Sequence, residues 1–179
     1  MPIVVYQGMS IHGNEPSGLI AIHRYLTEVL TQEKPSTNIR FIICSVEAAA
    51  SKPLFSHRFV KGGIDINRCF GKQCSFGCND GQRGYCQRAF LIEQAIREVS
   101  PEVVIDLHNA ASPAPTFAIS SVITTETLAL ASLFCQTLVL SDLIMGSMME
   151  QNFNCPLITI ECGGCQDEQA HEVAFSGIS

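Results

Sequence analysis

The sequence predicts an α/β fold: a single domain with a mostly parallel or mixed central sheet and helices on both faces. Short apolar runs bounded by polar, Gly or Pro residues alternate with segments of helical period. No repeat, low-complexity tract or linker interrupts that alternation. The chain's 179 residues, 46% hydrophobic and 16% charged, fit one domain that buries roughly 70% of its unfolded surface.

The elements follow in order. An apolar strand over 3–7 runs into a Gly-rich turn, and a helix over 17–31 begins after Pro16 with Leu19, Ile22, Leu26 and Leu30 as its apolar stripe. A second strand is expected over 39–44, a helix over 87–99 that stops before Pro101, and strands over 103–107 and 116–120. A helix over 125–138 and a strand over 157–160 complete the pattern. Segments 48–59, 71–86 and 141–154 show no dominant period and read as loops, where binding and catalytic groups concentrate.

Composition narrows the function. Eleven basic against seventeen acidic residues give a formal charge of −6, with no Lys/Arg run to neutralise phosphates, so nucleic acid is not an expected partner. The apolar stretches are too short and interrupted for a membrane span, and no basic segment precedes the first strand as in a signal peptide. Nine cysteines are an odd number at a density below that of disulfide scaffolds, which favours mostly free thiols and a cytoplasmic location.

Four segments carry candidate chemistry. His12 and Glu15 lie three apart in the turn Gly8 to Gly18, at the carboxyl end of a strand, where open α/β sheets bind ligands. That geometry suits two metal ligands, and His108 at the end of Val103-Val104-Ile105-Asp106-Leu107-His108-Asn109 offers a third. Asp106 shares the strand face of His108 and can orient its imidazole. Arg58, Asn67 and Arg68 form a donor set suited to a carboxylate and a polarised carbonyl, or a salt-bridged surface loop. Glu161 ends Pro156-Leu157-Ile158-Thr159-Ile160 and precedes two glycines, as either a helix cap or a general base.

Taken in order, Gly-x-His-Gly-Asn-Glu-Pro-x-Gly, Gly-x-Asp-x-Asn-Arg-x-Phe, Asp-Leu-His-Asn and Thr-x-Glu-x-Gly-Gly resemble the succinylglutamate desuccinylase and aspartoacylase family of zinc enzymes, relatives of the zinc carboxypeptidases. The resemblance implies one Zn²⁺ held by His12, Glu15 and His108, and Glu161 as general base and acid. It also implies substrate binding or carbonyl polarisation by Arg58, Asn67 and Arg68, with Asp106 behind His108. Two neutral imidazoles and one carboxylate would leave zinc a net positive charge and an open position for water. The implied activity is hydrolysis of the amide bond in a small N-acyl amino acid or related carboxylate. A carboxypeptidase-like peptidase and a non-catalytic thiol redox or metal-storage protein are the alternatives.

The sequence also departs from the family. The β-rich C-terminal domain common among members is not expected within residues 1–179, which read as the catalytic domain alone. Where aspartoacylase-like members supply a tyrosine and a further arginine, the chain reads Ser147-Met148-Met149-Glu150-Gln151, so N-acetylaspartate specificity does not carry over. Cys69, Cys74, Cys78 and Cys86 cluster after Arg68, and Cys162 and Cys165 flank the glycines after Glu161. These spacings fit no standard zinc module and read as small thiols beside the cleft.

Overall fold

The computed structural model of the protein describes residues 3–9, 11–32, 37–71 and 80–179, with side chains placed over 11–32, 37–71 and 83–179. Strand β1 (Ile3–Met9) leads through the His12 turn into helix α1 (Ser17–Arg24). That helix continues as a wide turn, Tyr25–Val29, closed by the Leu30 N–H donating to the Tyr25 carbonyl at 3.1 Å. Then come β2 (Asn38–Ile43), α2 (Val46–Ala50), a single turn at Ile66–Arg68, α3 (Asp80–Val99), β3 (Val103–Ala110) and β4 (Phe117–Ser120). The chain ends with α4 (Thr125–Ser132), β5 (Leu138–Leu140), a turn at Met148–Glu150, β6 (Leu157–Gly164) and α5 (Glu168–Ile178).

The strands form one mixed sheet in the order β2-β1-β3-β6-β4-β5. β2, β1, β3 and β6 are parallel, β4 runs antiparallel to β6, and β5 is parallel to β4. From β1 the chain moves outward to β2 and then returns across β1 to β3. The strand order therefore reverses between β1 and β3, where a crevice opens beyond the carboxyl ends.

Period-two alternation sorts β3 and β6 onto two faces. Ile105, Leu107, Ile158, Ile160 and Cys162 join a core with Ala21 of α1, Ala131 of α4 and Ala174 of α5. Val104 and Leu157 point the other way and pack with Ile92 and Ile96 of α3. Along this second face the residues turn polar, with Asp106 opposite Thr159 and His108 opposite Glu161. A fully buried aliphatic side chain stabilises by roughly 1.5–3 kcal/mol. The uninterrupted apolar face thus anchors the sheet and leaves the other free to carry polar groups.

Three sequence expectations change. The helix expected over 125–138 ends at Ser132, where Phe134 N–H bonds to the Ala131 carbonyl, and Leu138–Leu140 instead pairs with β4 as an edge strand. Its run of three apolar residues is too short to show a period, and Val139 and Leu140 are exposed. Within the loop expected over 71–86, α3 already begins at Asp80, because Cys86 and Ala89 are buried in the core despite Gly81 and Gly84. The loop expected over 48–59 starts inside α2, and 141–154 holds only the Met148–Glu150 turn.

Candidate metal centre and cleft

The turn after β1 is closed by Glu15 N–H donating to the His12 carbonyl at 3.2 Å. Gly13 lets it lie against α2, since a Cβ there would come within 2.5 Å of the backbone of Ala48 and Ala49. His12, Glu15 and His108 are all buried, and one donor atom from each lies within 4.8 Å of the others. His12 Nδ1 is 2.6 Å from Glu15 Oε1, and His108 Nδ1 is 2.8 Å from Glu15 Oε2. The far nitrogens also meet carboxylates: His12 Nε2 lies 2.8 Å from Asp65 Oδ1 and His108 Nε2 lies 3.0 Å from Asp106 Oδ2. Without an ion each Nδ1 can share its proton with Glu15; with Nε2–H donated outward to Asp65 and Asp106, a cation can take the place of both Nδ1 protons.

Charge balance points the same way. Glu15, Asp65 and Asp106 face two imidazoles and one guanidinium, Arg58, which reaches Asp65 Oδ2 through Nη2 at 2.9 Å and Nε at 3.2 Å and Glu15 Oε1 through Nη1 at 3.4 Å. Once an ion displaces the Nδ1 protons the imidazoles are neutral, and three negative charges against one positive leave a deficit of two, the charge of one divalent ion. A mixed nitrogen and oxygen donor set suits zinc among such ions. Burial alone would raise the Glu15 carboxyl, but the charge of His108 and hydrogen bonds from both histidines outweigh it and bring it to about 2. Burial likewise opposes ionisation of Asp65 and is outweighed by His12 and Arg58, so Asp65 stays well below the carboxylate range. For His108, burial disfavours the cation, yet Asp106 and Glu15 hold its pKa well above the ordinary value.

Asp65 is the member of this cluster that the sequence reading left without a role. Its signal was present in the Asp-x-Asn-Arg stretch, where its side chain also accepts from Asn67 N–H at 2.8 Å. Asn109 is a second such residue. Its Oδ1 accepts Ser17 N–H at 3.0 Å, and its Nδ2 donates to Ser17 Oγ at 2.8 Å and to the Gly163 carbonyl at 3.2 Å. It thereby ties α1, β3 and β6 together beside the donors.

A cleft of about 260 Å³ opens over these groups, lined also by Glu161, Arg58, Asn67 and Arg68. Every sequence-selected site residue except Asp106, which stands behind His108, lines it. Glu161 Oε2 is buried with no hydrogen-bond partner among the described residues. Burial raises the Glu161 pKa; His108 works against the rise, and Glu15 and Asp106 add to it. Arg68 Nη1 donates to the Asn67 carbonyl at 2.7 Å, while Asn67 Oδ1 accepts Met148 N–H at 2.9 Å. Cys69, Cys86 and Cys162 are core residues, and burial pushes the Cys162 thiol far up, which suppresses thiolate chemistry. Cys74 and Cys78 lie outside the described residues.

A sequence profile of the Succinylglutamate desuccinylase/Aspartoacylase catalytic domain matches residues 5–176. The chain belongs to this family. Among solved structures, the succinylglutamate desuccinylase of Chromobacterium violaceum superposes with a TM-score of 0.79 at 18% identity, covering 98% of this chain and 58% of its own. The succinylglutamate desuccinylase/aspartoacylase of Rhodobacter sphaeroides gives 0.72 at 21% identity, covering 99% and 52%. Murine aminoacylase 3 gives 0.69 at 18% identity, covering 99% and 62%. The chain thus spans between about half and two thirds of the length of these family structures. No curated protein sequence matches it. Nothing in these relatives supports the thiol redox or storage alternative. No helix among the described residues is long and apolar enough to cross a membrane.

Proposed function

We propose that residues 1–179 form the catalytic domain of a zinc-dependent hydrolase that cleaves the amide bond of a small N-acyl amino acid or related carboxylate. The observation that carries this reading is the convergence, in one cleft, of three candidate metal donors and a buried Glu161 oxygen without a partner among the described residues. The names of the related structures, desuccinylase and aminoacylase, support acylated amino acids as the substrate class.

In this reading His12, Glu15 and His108 hold the ion, with Asp65 and Asp106 fixing the imidazoles. When bound, zinc supplies a Lewis acid that polarises a carbonyl and acidifies water. Glu161 receives the proton of the attacking water at Oε2 and returns it to the leaving amine nitrogen. A carboxylate whose pKa is raised by burial is suited to both halves of that transfer. Arg58, Asn67 and Arg68 form the polar side of the cleft, which takes the substrate carboxylate and the charge developing on the carbonyl.

Glu161→Gln tests the reading. The variant should retain zinc, measured by metal analysis of the purified protein, and lose about 10² to 10⁴ in hydrolytic rate. Zinc loss would instead make Glu161 a ligand, and undiminished turnover would make it a bystander. Parallel assays on N-acyl amino acids and C-terminal dipeptides separate the deacylase from the peptidase alternative.

A further inference from the structure

We infer that the cleft takes N-acyl amino acids carrying a single carboxylate and an apolar side chain, and discriminates against dicarboxylates. The inference rests on the hydrolase reading of this cleft and specifies its substrate class.

It follows from a census of the cleft's charges. Two cations line it among the described residues, Arg58 and Arg68. Arg58 gives each of its three nitrogens to Asp65 or Glu15, so its charge is already matched inside the metal cluster. Arg68 has no carboxylate partner among the described residues, and its bond is to the neutral Asn67 carbonyl. Among the described residues one guanidinium is therefore left to receive one carboxylate, through a planar fork suited to it.

One stretch of the cleft wall, joined to the Arg68 loop where Asn67 Oδ1 accepts Met148 N–H, carries apolar side chains. Strand order runs from the metal donors on the β1 turn and β3, through Glu161 on β6, to Ile119 on β4, which stands opposite Thr159. Met145 and Met149 complete this wall. Their segment is held in place: the Glu150 carboxylate accepts the N–H groups of Met145, Gly146 and Ser147 at 2.7, 2.9 and 3.0 Å. A second carboxylate directed here would face Ile119 and two methionines, with no unmatched cation lining the cleft among the described residues beyond the one already taken by the first carboxylate. Contact with these groups leaves it unpaired, whereas an aliphatic or aromatic side chain gains from the same wall.

Binding and hydrolysis are measured separately. Zinc-loaded Glu161→Gln protein is titrated calorimetrically with N-acetylmethionine and with N-acetylaspartate. N-acetylmethionine should bind at least about tenfold more tightly. In the same background Arg68→Gln should weaken N-acetylmethionine binding at least about tenfold with zinc affinity unchanged, whereas Arg58→Gln should lower zinc affinity in a chelator competition. Equal or tighter binding of N-acetylaspartate, no binding of either compound, or full affinity after loss of Arg68 overturns the inference. Wild-type hydrolysis decides the other question. Turnover of N-acetylaspartate in preference to N-acetylmethionine would leave a hydrolase with the substrate class wrong. The expected binding order without hydrolysis of any acylamino acid would remove the hydrolase and keep the ligand class.

Discussion

Asp65 and Asp106 stand in equivalent relation to the imidazoles of His12 and His108, but they were not equally legible. Asp106 precedes His108 by two residues on a strand, so period two alone places both on one face. His12, Glu15 and His108 were visible for a similar reason, as chemically distinctive residues at strand ends. Asp65 meets His12 across 53 positions of sequence, and no local pattern encodes that contact. Both carboxylates should nonetheless matter to metal binding, because accepting Nε2–H fixes the tautomer and raises the basicity of Nδ1. Asp65→Asn and Asp106→Asn are expected to lower zinc affinity by about 10- to 100-fold in competition with a chromophoric chelator. The larger loss should fall at Asp106, whose side chain is 1% exposed against 16% for Asp65. Unchanged affinity in both variants would remove the orienting role.

At the scale of elements, the strands that carry the site were read nearly in full, and the segment that walls it was not. β3 and β6 announce themselves by long β-branched and aliphatic runs, whereas 141–154 has no period because its order comes from side chain to backbone bonds. Glu150 supplies three of these, accepting the backbone N–H groups of Met145, Gly146 and Ser147, and it also accepts the Ser147 hydroxyl. Its pKa reflects the arrangement: burial would raise it, but the bonds from Ser147, Met145 and Gly146 bring it from 4.5 to about 2. A carboxyl group lowered on folding stabilises the fold fully above its unfolded value. That contribution should fade as pH falls from about 4.5 towards about 2. Glu150→Gln keeps the shape and removes the charge, and should cost roughly 1–3 kcal/mol at pH 6 in urea denaturation. The gap between variant and wild type should narrow at pH 3. A pH-independent gap would mean that the carboxylate's charge contributes nothing to the segment.

On the scale of the whole molecule, the mixed sheet with helices on both faces follows from alternation of strand and helix patterns, and the family from four motifs in order. β5 and the start of α3 escaped because a three-residue edge strand and a glycine-bearing helix end depend on packing that local propensity does not contain. The division of labour between the two sheet faces has a thermodynamic consequence. One face is a continuous apolar core, while the cleft end of the other brings Asp106 and Glu161 of the sheet together with Glu15 and Asp65 of adjoining loops, in a chain whose formal charge is already −6. The donor set of His12, Glu15 and His108 is assembled in the folded chain, so a zinc ion that binds it should stabilise the native state. An ion binding only the folded chain adds about 2.7 kcal/mol at a free concentration of 100 times its Kd. Each kcal/mol shifts Tm by roughly 2–4 °C in a domain of this size, so saturating zinc should raise Tm by about 5–11 °C. The rise should grow with the logarithm of free zinc and reverse on chelation. His12→Ala and His108→Ala should each abolish the zinc-dependent increment whatever they do to the metal-free Tm, because each removes one donor of the set. An increment that survives both substitutions would place the stabilising ion elsewhere and dissolve the link between this polar sheet face and metal binding.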